Sequence, residues 1–259
     1  MATVKIRNLV LGEGLPKIAV PNVGKTREEI ISAAKEIIQA KPDLMEWRID
    51  YFEAGINNFD ELKKVAQELR KVMEEIPILI TFRTKNEGGV LSLPEERYLS
   101  LLDQIIVNRL GDAIDIELFH NEDTIKGLVE KAHQYNVIVV MSNHDFDKVP
   151  SKDIIEFRLK KMAELGADIP KFACMPHSSM DVLTLLMATT VVNENISNPI
   201  ITMAMGDLGK VSRIAGQVFG SSLSFGAVGQ TSAPGQLSIS DLRNAEKYLE
   251  LHWYVSKNR

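Results

Sequence analysis

The sequence has a single cysteine, Cys174, which excludes an internal disulfide and a zinc site built on paired cysteines. A reducing compartment is therefore the expectation. The opening Met1-Ala2-Thr3-Val4-Lys5 lacks the apolar core of a secretory signal. Long hydrophobic runs are missing too: the most apolar stretch, 182–192, is interrupted by Thr184, Thr189 and Thr190 and is too short to span a bilayer. No Lys/Arg cluster exceeds a solvated helix face, and 30 basic against 35 acidic residues give a net charge of −5 and a pI near 5.6. Nucleic-acid binding usually leaves a basic stripe, and this chain has none. The expectation is a soluble, cytoplasmic protein with no nucleic-acid and no membrane partner.

What is present is an ordinary globular composition, 45% hydrophobic and 25% charged over 259 residues, with mean hydropathy −0.05. That excludes a disordered chain, which would lack the apolar surface to offset folding entropy. The length fits two ordinary domains or one large domain, since α/β barrels run to about 200–250 residues.

The chain alternates. Short β-rich runs at 17–21, 44–50, 77–84, 113–118, 137–143, 170–175, 199–205 and 222–228 are each followed by a segment of helical period. Those segments are 26–40, 60–73, 95–110, 124–135, 152–165, 180–193, 210–219 and 240–253. Leu62, Val65, Ala66, Leu69 and Met73 show the three- and four-residue spacing of one helix face. Thr26 with Glu29, and Ser238 with Asp241, carry capping chemistry. Strand then helix, eight times over, requires parallel strands with crossovers, and predicts an α/β fold: a single (β/α)8 TIM barrel. An open doubly wound sheet is the runner-up, but its Gly-rich phosphate turn is absent, Asn22-Val23-Gly24-Lys25 standing in that place. No linker divides the chain, so 1–259 reads as one domain. Residues 1–15 read as a short N-terminal hairpin closing the amino-terminal mouth.

Several strands carry charge at alternating positions. Period two places Glu46, Arg48 and Asp50 on one face and Met45, Trp47 and Ile49 on the other. Asp115 and Glu117 repeat the pattern, and Arg83 and Glu87 run into a Gly-Gly turn. Such faces are either solvated or turned into the barrel. Helices cover the outside of a parallel barrel, so the interior is favoured, at the carboxyl ends where barrel enzymes work. Glu46 with Arg48, and Arg83 with Glu87, are then expected to neutralise one another.

Lys171 stands among apolar neighbours inside a strand, where a lysine either snorkels out or is buried with a depressed pKa and acts as a nucleophile toward a carbonyl. His144 follows the strand 137–143, either as a turn histidine bonded to backbone or as a proton relay. The other histidines, His120, His133, His177 and His252, have quieter positions. The small, polar segment 229–238 is either a connector or a lid. The chain has no H-E-x-x-H, no paired cysteines and no G-x-S-x-G, and Gly206-Asp207-Leu208-Gly209-Lys210-Val211-Ser212 lacks phosphate-loop spacing. Chemistry through lysine, without cofactor or metal, is the economical reading.

Glu46-Trp47-Arg48-Ile49-Asp50, Thr81-Phe82-Arg83-Thr84, Glu87-Gly88-Gly89, Asp115-Ile116-Glu117-Leu118, Asn143-His144-Asp145-Phe146, Met203-Ala204-Met205-Gly206, Ser212-Arg213 and Ser232-Ala233-Pro234-Gly235-Gln236-Leu237 together resemble type I 3-dehydroquinate dehydratases. The resemblance runs from 7–14 to the end of the chain. It implies a (β/α)8 lyase of the shikimate pathway, a cytoplasmic homodimer needing no metal or cofactor, that dehydrates the small molecule 3-dehydroquinate to 3-dehydroshikimate. It implies Lys171 as the Schiff-base lysine, His144 as general acid and base, and Glu87 as the residue positioning that histidine. Arg213 would clamp the substrate carboxylate, with Glu46, Arg48, Arg83, Ser232 and Gln236 binding hydroxyls or ordering the site. Pro21 departs from the family, some members having a serine there. Two other classes stand beside this one: a class I aldolase or transaldolase, which also uses a barrel lysine, and a non-catalytic barrel that serves as a binding module.

Overall fold

In a computed structural model, which describes residues 2–229 and 232–251, the alternation of short runs and amphipathic segments resolves into eight parallel strands with crossover helices. An antiparallel hairpin, β1 (Val4–Ile6) and β2 (Leu9–Leu11), precedes them. The barrel strands are β3 (Lys17–Asn22), β4 (Leu44–Arg48), β5 (Ile78–Thr81), β6 (Ala113–Glu117), β7 (Ile138–Asp145), β8 (Ile169–Cys174), β9 (Ile201–Ala204) and β10 (Leu223–Ala227). Each pairs in parallel with the next in chain order, and β10 pairs with β3. The ring closes between β9 and β10 through one bridge, Ile200 to Ser221, where Ser222 N–H donates to Ile200 O at 2.8 Å. A short strand, β11 (Leu237–Ser238), pairs with the upper end of β10 on the edge away from β3. The seam between β9 and β10 is thus the least hydrogen-bonded join in the ring.

The helices are α1 (Arg27–Gln39), α2 (Glu53–Asn57), α3 (Phe59–Met73), α4 (Glu95–Val107), α5 (Glu122–Gln134), α6 (Lys152–Glu164), α7 (Ser179–Asn195), α8 (Lys210–Ile214), α9 (Gly216–Phe219) and α10 (Ile239–Tyr248). The caps form at the residues that spacing marked: Thr26 accepts from Glu29 N–H and Ser238 from Asp241 N–H. The single helix expected over 210–219 is two, broken at Ala215, because the chain turns in so closely at Gly216 that a Cβ there would stand 2.6 Å from Ser221 O. The helix expected over 240–253 ends at Tyr248, capped at Leu249, with Glu250 and Leu251 outside it; His252 and Trp253 lie outside the described residues. Five strands are shorter than expected, β4, β5, β6, β9 and β10; of these β4 ends at Arg48 and β5 at Thr81, each followed by a 3-10 turn or irregular chain.

Period two along each strand separates two cores. Outward residues such as Met45, Trp47, Ile80, Ile114, Ile116, Val139, Met141 and Phe172 pack under the helices. The first inward residue of most strands is apolar: Ala19, Leu44, Leu79, Ala113, Val140, Ile169, Ile201 and Leu223 share one cluster with Ile6, Leu9 and Leu11 of the hairpin. Further along, the inward positions turn polar, with Glu46, Thr81, Asp115, Ser142 and Lys171 all buried. The barrel is therefore dry at its amino end and charged at its carboxyl end. Leu11 is 1% exposed within the dry end. Leu11→Ala is expected to lower unfolding stability by about 2–5 kcal/mol, the range for a buried leucine. Urea denaturation checks this, and a loss below about 1 kcal/mol would show that the hairpin adds little to the core.

Candidate active site

The charged end of the barrel holds one cavity bordered by all nine residues that the sequence marks: Glu46, Arg48, Arg83, Glu87, His144, Lys171, Arg213, Ser232 and Gln236. Glu46 and Arg48 come from β4, His144 from β7, Lys171 from β8 and Arg213 from α8. Arg83 and Glu87 come from the segment after β5, where Gly88 takes φ 86 to end the 3-10 turn Lys85–Glu87. Met203, Met205 and Phe225 supply an apolar wall that charge patterning does not reveal.

Arg83 lies at the centre of a buried ion network. Its Nη2 is 2.9 Å from Asp115 Oδ2, and its Nη1 is 2.8 Å from Glu117 Oε1 and 3.5 Å from Glu87 Oε2. Nη1 also donates to Ser142 Oγ at 2.9 Å, and Ser142 donates on to Asp115 Oδ1 at 2.6 Å. Burial alone would lower the proton affinity of Arg83; Asp115, Glu117 and Glu87 reverse this and hold it fully charged. Burial likewise opposes ionisation of Asp115, but Arg83 and Lys171 outweigh it and keep that carboxyl below its ordinary range.

The expected Glu46–Arg48 pair does not form. Arg48 is held by Asp50 instead, in a fork with Nε to Oδ1 and Nη2 to Oδ2 both at 2.8 Å. Because β4 stops at Arg48, Asp50 leaves the strand face on which alternation would place it and folds back in the turn Ile49–Tyr51. There it also accepts the backbone N–H groups of Arg83 and Val90, each at 3.3 Å. Glu46 accepts from Thr81 Oγ1 at 2.9 Å and faces Lys171 at 3.8 Å.

Lys171 is 3% exposed. Its Nζ stands 3.7 Å from Asp115, 3.8 Å from Glu46 and 4.6 Å from the centroid of Phe225. None of these is a hydrogen bond, so the ammonium is weakly held. Burial pulls its pKa below that of an ordinary lysine, against Glu46 and Asp115 and with help from Arg83 and Arg48. The amine is thereby easier to obtain in its nucleophilic form.

His144 and Glu87 form a pair. The backbone N–H of His144 and its Nδ1 both lie 3.0 Å from Glu87 Oε2, while Asn143 Nδ2 donates to Oε1 at 2.9 Å. Convergence on Oε2 makes Nδ1 the donor when Glu87 is ionised, and leaves the lone pair of Nε2 as a base. Burial, Arg83, Lys171 and Arg48 hold the imidazolium form of His144 well below its usual range. Burial raises Glu87 to about 8, Arg83 opposing. Because the two groups share a hydrogen bond, a proton taken up by one can pass to the other. Among the described residues, the remaining histidines have other partners: His120 lies 3.0 Å from Glu95, His133 3.0 Å from Asp168, and His177 2.7 Å from Asp147 O.

Arg213 differs from the other buried cations. It is 1% exposed, yet meets no carboxylate among the described residues. Nη2 donates to Pro234 O at 3.1 Å, Nη1 approaches Met203 Sδ at 3.6 Å, and Nε has no partner. Burial lowers its pKa to about 10, which still leaves it cationic at neutral pH. A buried, unmatched guanidinium bordering a cavity is a receptor for an anion. Above it, Gly206 N–H donates to Pro234 O at 3.2 Å, and Gln236 clasps Ser232 through Ser232 N–H to Oε1 at 2.9 Å and Nε2 to Ser232 Oγ at 3.1 Å. Gln230 and Thr231 of the same segment lie outside the described residues. Among the described residues no three His, Cys, Asp or Glu side chains gather in a way that would hold a metal ion.

The chain as a whole is similar to known proteins. The family model for type I 3-dehydroquinase matches residues 18–252. The chain is 47% identical to 3-dehydroquinate dehydratase of Lactiplantibacillus plantarum over 249 residues, covering 96% of this chain and 98% of that protein. It is 48% identical to the enzyme of that name from Salmonella agona over 244 residues, covering 94% and 96%. Among solved structures, type I 3-dehydroquinate dehydratase of Clostridium difficile, with covalently modified comenic acid, superposes with TM-score 0.91 at 44% identity, covering 96% and 97%. The Geobacillus kaustophilus 3-dehydroquinate dehydratase gives TM-score 0.93 at 37% identity, covering 100% and 98%. The chain belongs to the type I 3-dehydroquinase family.

Proposed function

We infer that this protein is a hydro-lyase that converts 3-dehydroquinate to 3-dehydroshikimate and water, a step of the shikimate pathway. The observation that carries this reading is the weakly held amine of Lys171 opening on the same cavity as the His144–Glu87 pair and the unmatched Arg213. The substrate is a β-hydroxyketone with a carboxylate, and each group has a counterpart. The carboxylate lies in the fork of Arg213. Nζ of Lys171 adds to the ketone carbon, and loss of water gives an iminium. The iminium draws electrons from the neighbouring C–H bond, Nε2 of His144 takes that proton, and an enamine forms. The enamine pushes out the β-hydroxyl, which leaves as water with the proton returned by His144. Water then hydrolyses the conjugated iminium, restoring the amine and replacing the water lost when the iminium formed. Every step uses side chains of this chain. Glu46, Arg48 and Arg83 order the site and meet the substrate hydroxyls.

The cavity is narrow, with about 50 Å³ open to the centre of a water-sized sphere. Ser232, Ala233 and Gln236 are part of its wall, and Pro234 bonds to Gly206 after β9 while Leu237 and Ser238 pair with β10. These described residues support segment 229–238 as a lid. The whole chain, 1–259, works as one barrel domain with the hairpin sealing its other end. No helix of the described residues is long and apolar enough to cross a membrane. A buried free thiol, Cys174, suits the reducing cytoplasm, where we place the enzyme. Its exposed apolar side chains Ile154 and Phe157 on α6 and Met180, Leu183 and Met187 on α7 suit a homodimer contact.

Borohydride reduction with 3-dehydroquinate present, followed by peptide mass analysis, is expected to leave a stable adduct on Lys171. His144→Ala is expected to form the same adduct while release of the ultraviolet-absorbing enone falls by about 10²–10⁴-fold. Turnover without an adduct would sink the imine route, and cleavage to two carbon fragments would indicate an aldolase. Gly235 tests the lid: it has φ 77, and a Cβ there would stand 2.2 Å from Gly206 O. Gly235→Ala is expected to raise KM about tenfold, equivalent to roughly 1.4 kcal/mol. An unchanged KM would show that the segment is only a connector.

A further inference from the structure

Behind the Glu87–His144 pair, on the helix side of the sheet, a second link reaches Glu87. Asn143 is 3% exposed, and its two amide ends have different partners. Nδ2 donates to Glu87 Oε1 at 2.9 Å, and Oδ1 accepts from Arg158 Nη1 at 2.9 Å. A flipped amide would turn its oxygen toward a carboxylate and its N–H groups toward a guanidinium, losing both bonds. Arg158 therefore acts with Glu87 in setting which end of Asn143 meets the carboxylate. Arg158 is itself fixed: its guanidinium carbon lies 5.2 Å from the centroid of Phe119 and 5.7 Å from that of Phe172, and Nη1 is 3.8 Å from Asp145. Phe172 is the register neighbour of Asn143 between β7 and β8, which brings the clamp beside the amide it orients. Arg158 does not border the cavity of Lys171; it opens on a separate cleft shared with Asn143 and Glu87.

We propose that Arg158 is a positioning residue for the acid–base pair: through Asn143 it keeps an N–H donor on Glu87, so that Glu87 accepts the Nδ1–H of His144. This rests on the assignment of that pair made above. The charged groups facing the pair from the cavity side are Arg83 after β5, Asp115 and Glu117 on β6, Lys171 on β8 and Arg48 on β4. On the helix side Arg158 stands beside Asp145. Without Arg158, Asn143 loses one of the two bonds that orient it and holds its N–H donor on Glu87 less firmly, which disfavours the carboxylate. The pair then takes up its second proton at higher pH. The acid limb of the kcat profile therefore moves to higher pH.

The test measures kcat and KM across pH, with borohydride trapping, for the full-length wild-type enzyme and three variants. Arg158→Met keeps the stem but removes the donor. We expect kcat to fall about tenfold with KM within about twofold, as for loss of a charged hydrogen bond felt only at the reacting centre. The acid limb should rise by roughly half a unit, while the Lys171 adduct still forms. Arg158→Lys, which retains a donor, should restore most of kcat and the position of the limb. Asn143→Ala cuts the link at its inner end and should shift the limb the same way, whether or not Arg158→Met folds. An unmoved limb in Arg158→Met, or in Asn143→Ala where Arg158→Met yields no folded protein, overturns the proposal. A wild-type protein that forms neither adduct nor enone overturns the underlying assignment instead.

Discussion

A guanidinium sealed inside the barrel has to be neutralised where it stands, and Arg83 is the group on which the site is built. Its three carboxylates come from two places, Asp115 and Glu117 on β6 and Glu87 in the turn after β5. Glu117 also accepts from Thr84 N–H at 2.9 Å and Thr84 Oγ1 at 2.7 Å, so one side chain ties β6 to the segment that carries Glu87. Ser142 brings β7 into the same network. Removing Arg83 would leave several buried anions without a partner, a far larger cost than losing a surface ion pair.

Among the described residues the four buried cations differ in how well they are matched, and that gradient separates frame from function. Arg83 has three carboxylates and Arg48 a forked one. Lys171 has two that stand beyond hydrogen-bond reach, and Arg213 has none among the described residues. Arg83 ties the segment after β5 to β6 and β7, and Arg48 anchors the turn that follows its own strand. The loosely held lysine is free to bond to carbon, and the unmatched arginine waits for an anion. The same logic explains why one end of the barrel is closed by an apolar hairpin: the inward residues there offer nothing polar to bind. Access has to come from the carboxyl side, where the β9–β10 seam is bridged only once and the segment carrying Ser232 and Gln236 crosses it.

Much of this was legible in the sequence because a strand has a strict period of two. Glu46 and Arg48, Asp115 and Glu117, and Lys171 alone among apolar neighbours all fall on the inward phase, and the structure places them there. The same rule misplaced Asp50, because periodicity does not say where a strand stops; β4 ends two residues earlier and Asp50 turns back to hold Arg48. Thr81 and Ser142 lie on the inward phase as well, but as small hydroxyls they attract no notice without their partners. Arg158 left no signal at all: it sits in a helix rich in Lys and Glu, and only the packing of α6 over β7 and β8 brings it to Asn143. The break at Ala215 arises from close tertiary approach at Gly216, which local propensity does not encode.

The central claim is that the least matched cation receives the ligand's anion while the loosely held amine bonds to its carbon. A crystal structure of the borohydride-reduced adduct tests this most directly. The account predicts a carbon bonded to Lys171 Nζ, the ligand carboxylate forked on Arg213, and Nε2 of His144 facing the carbon next to the bonded one. A carboxylate resting on Arg48 or Arg83, with Arg213 still bound only to Pro234, would contradict it.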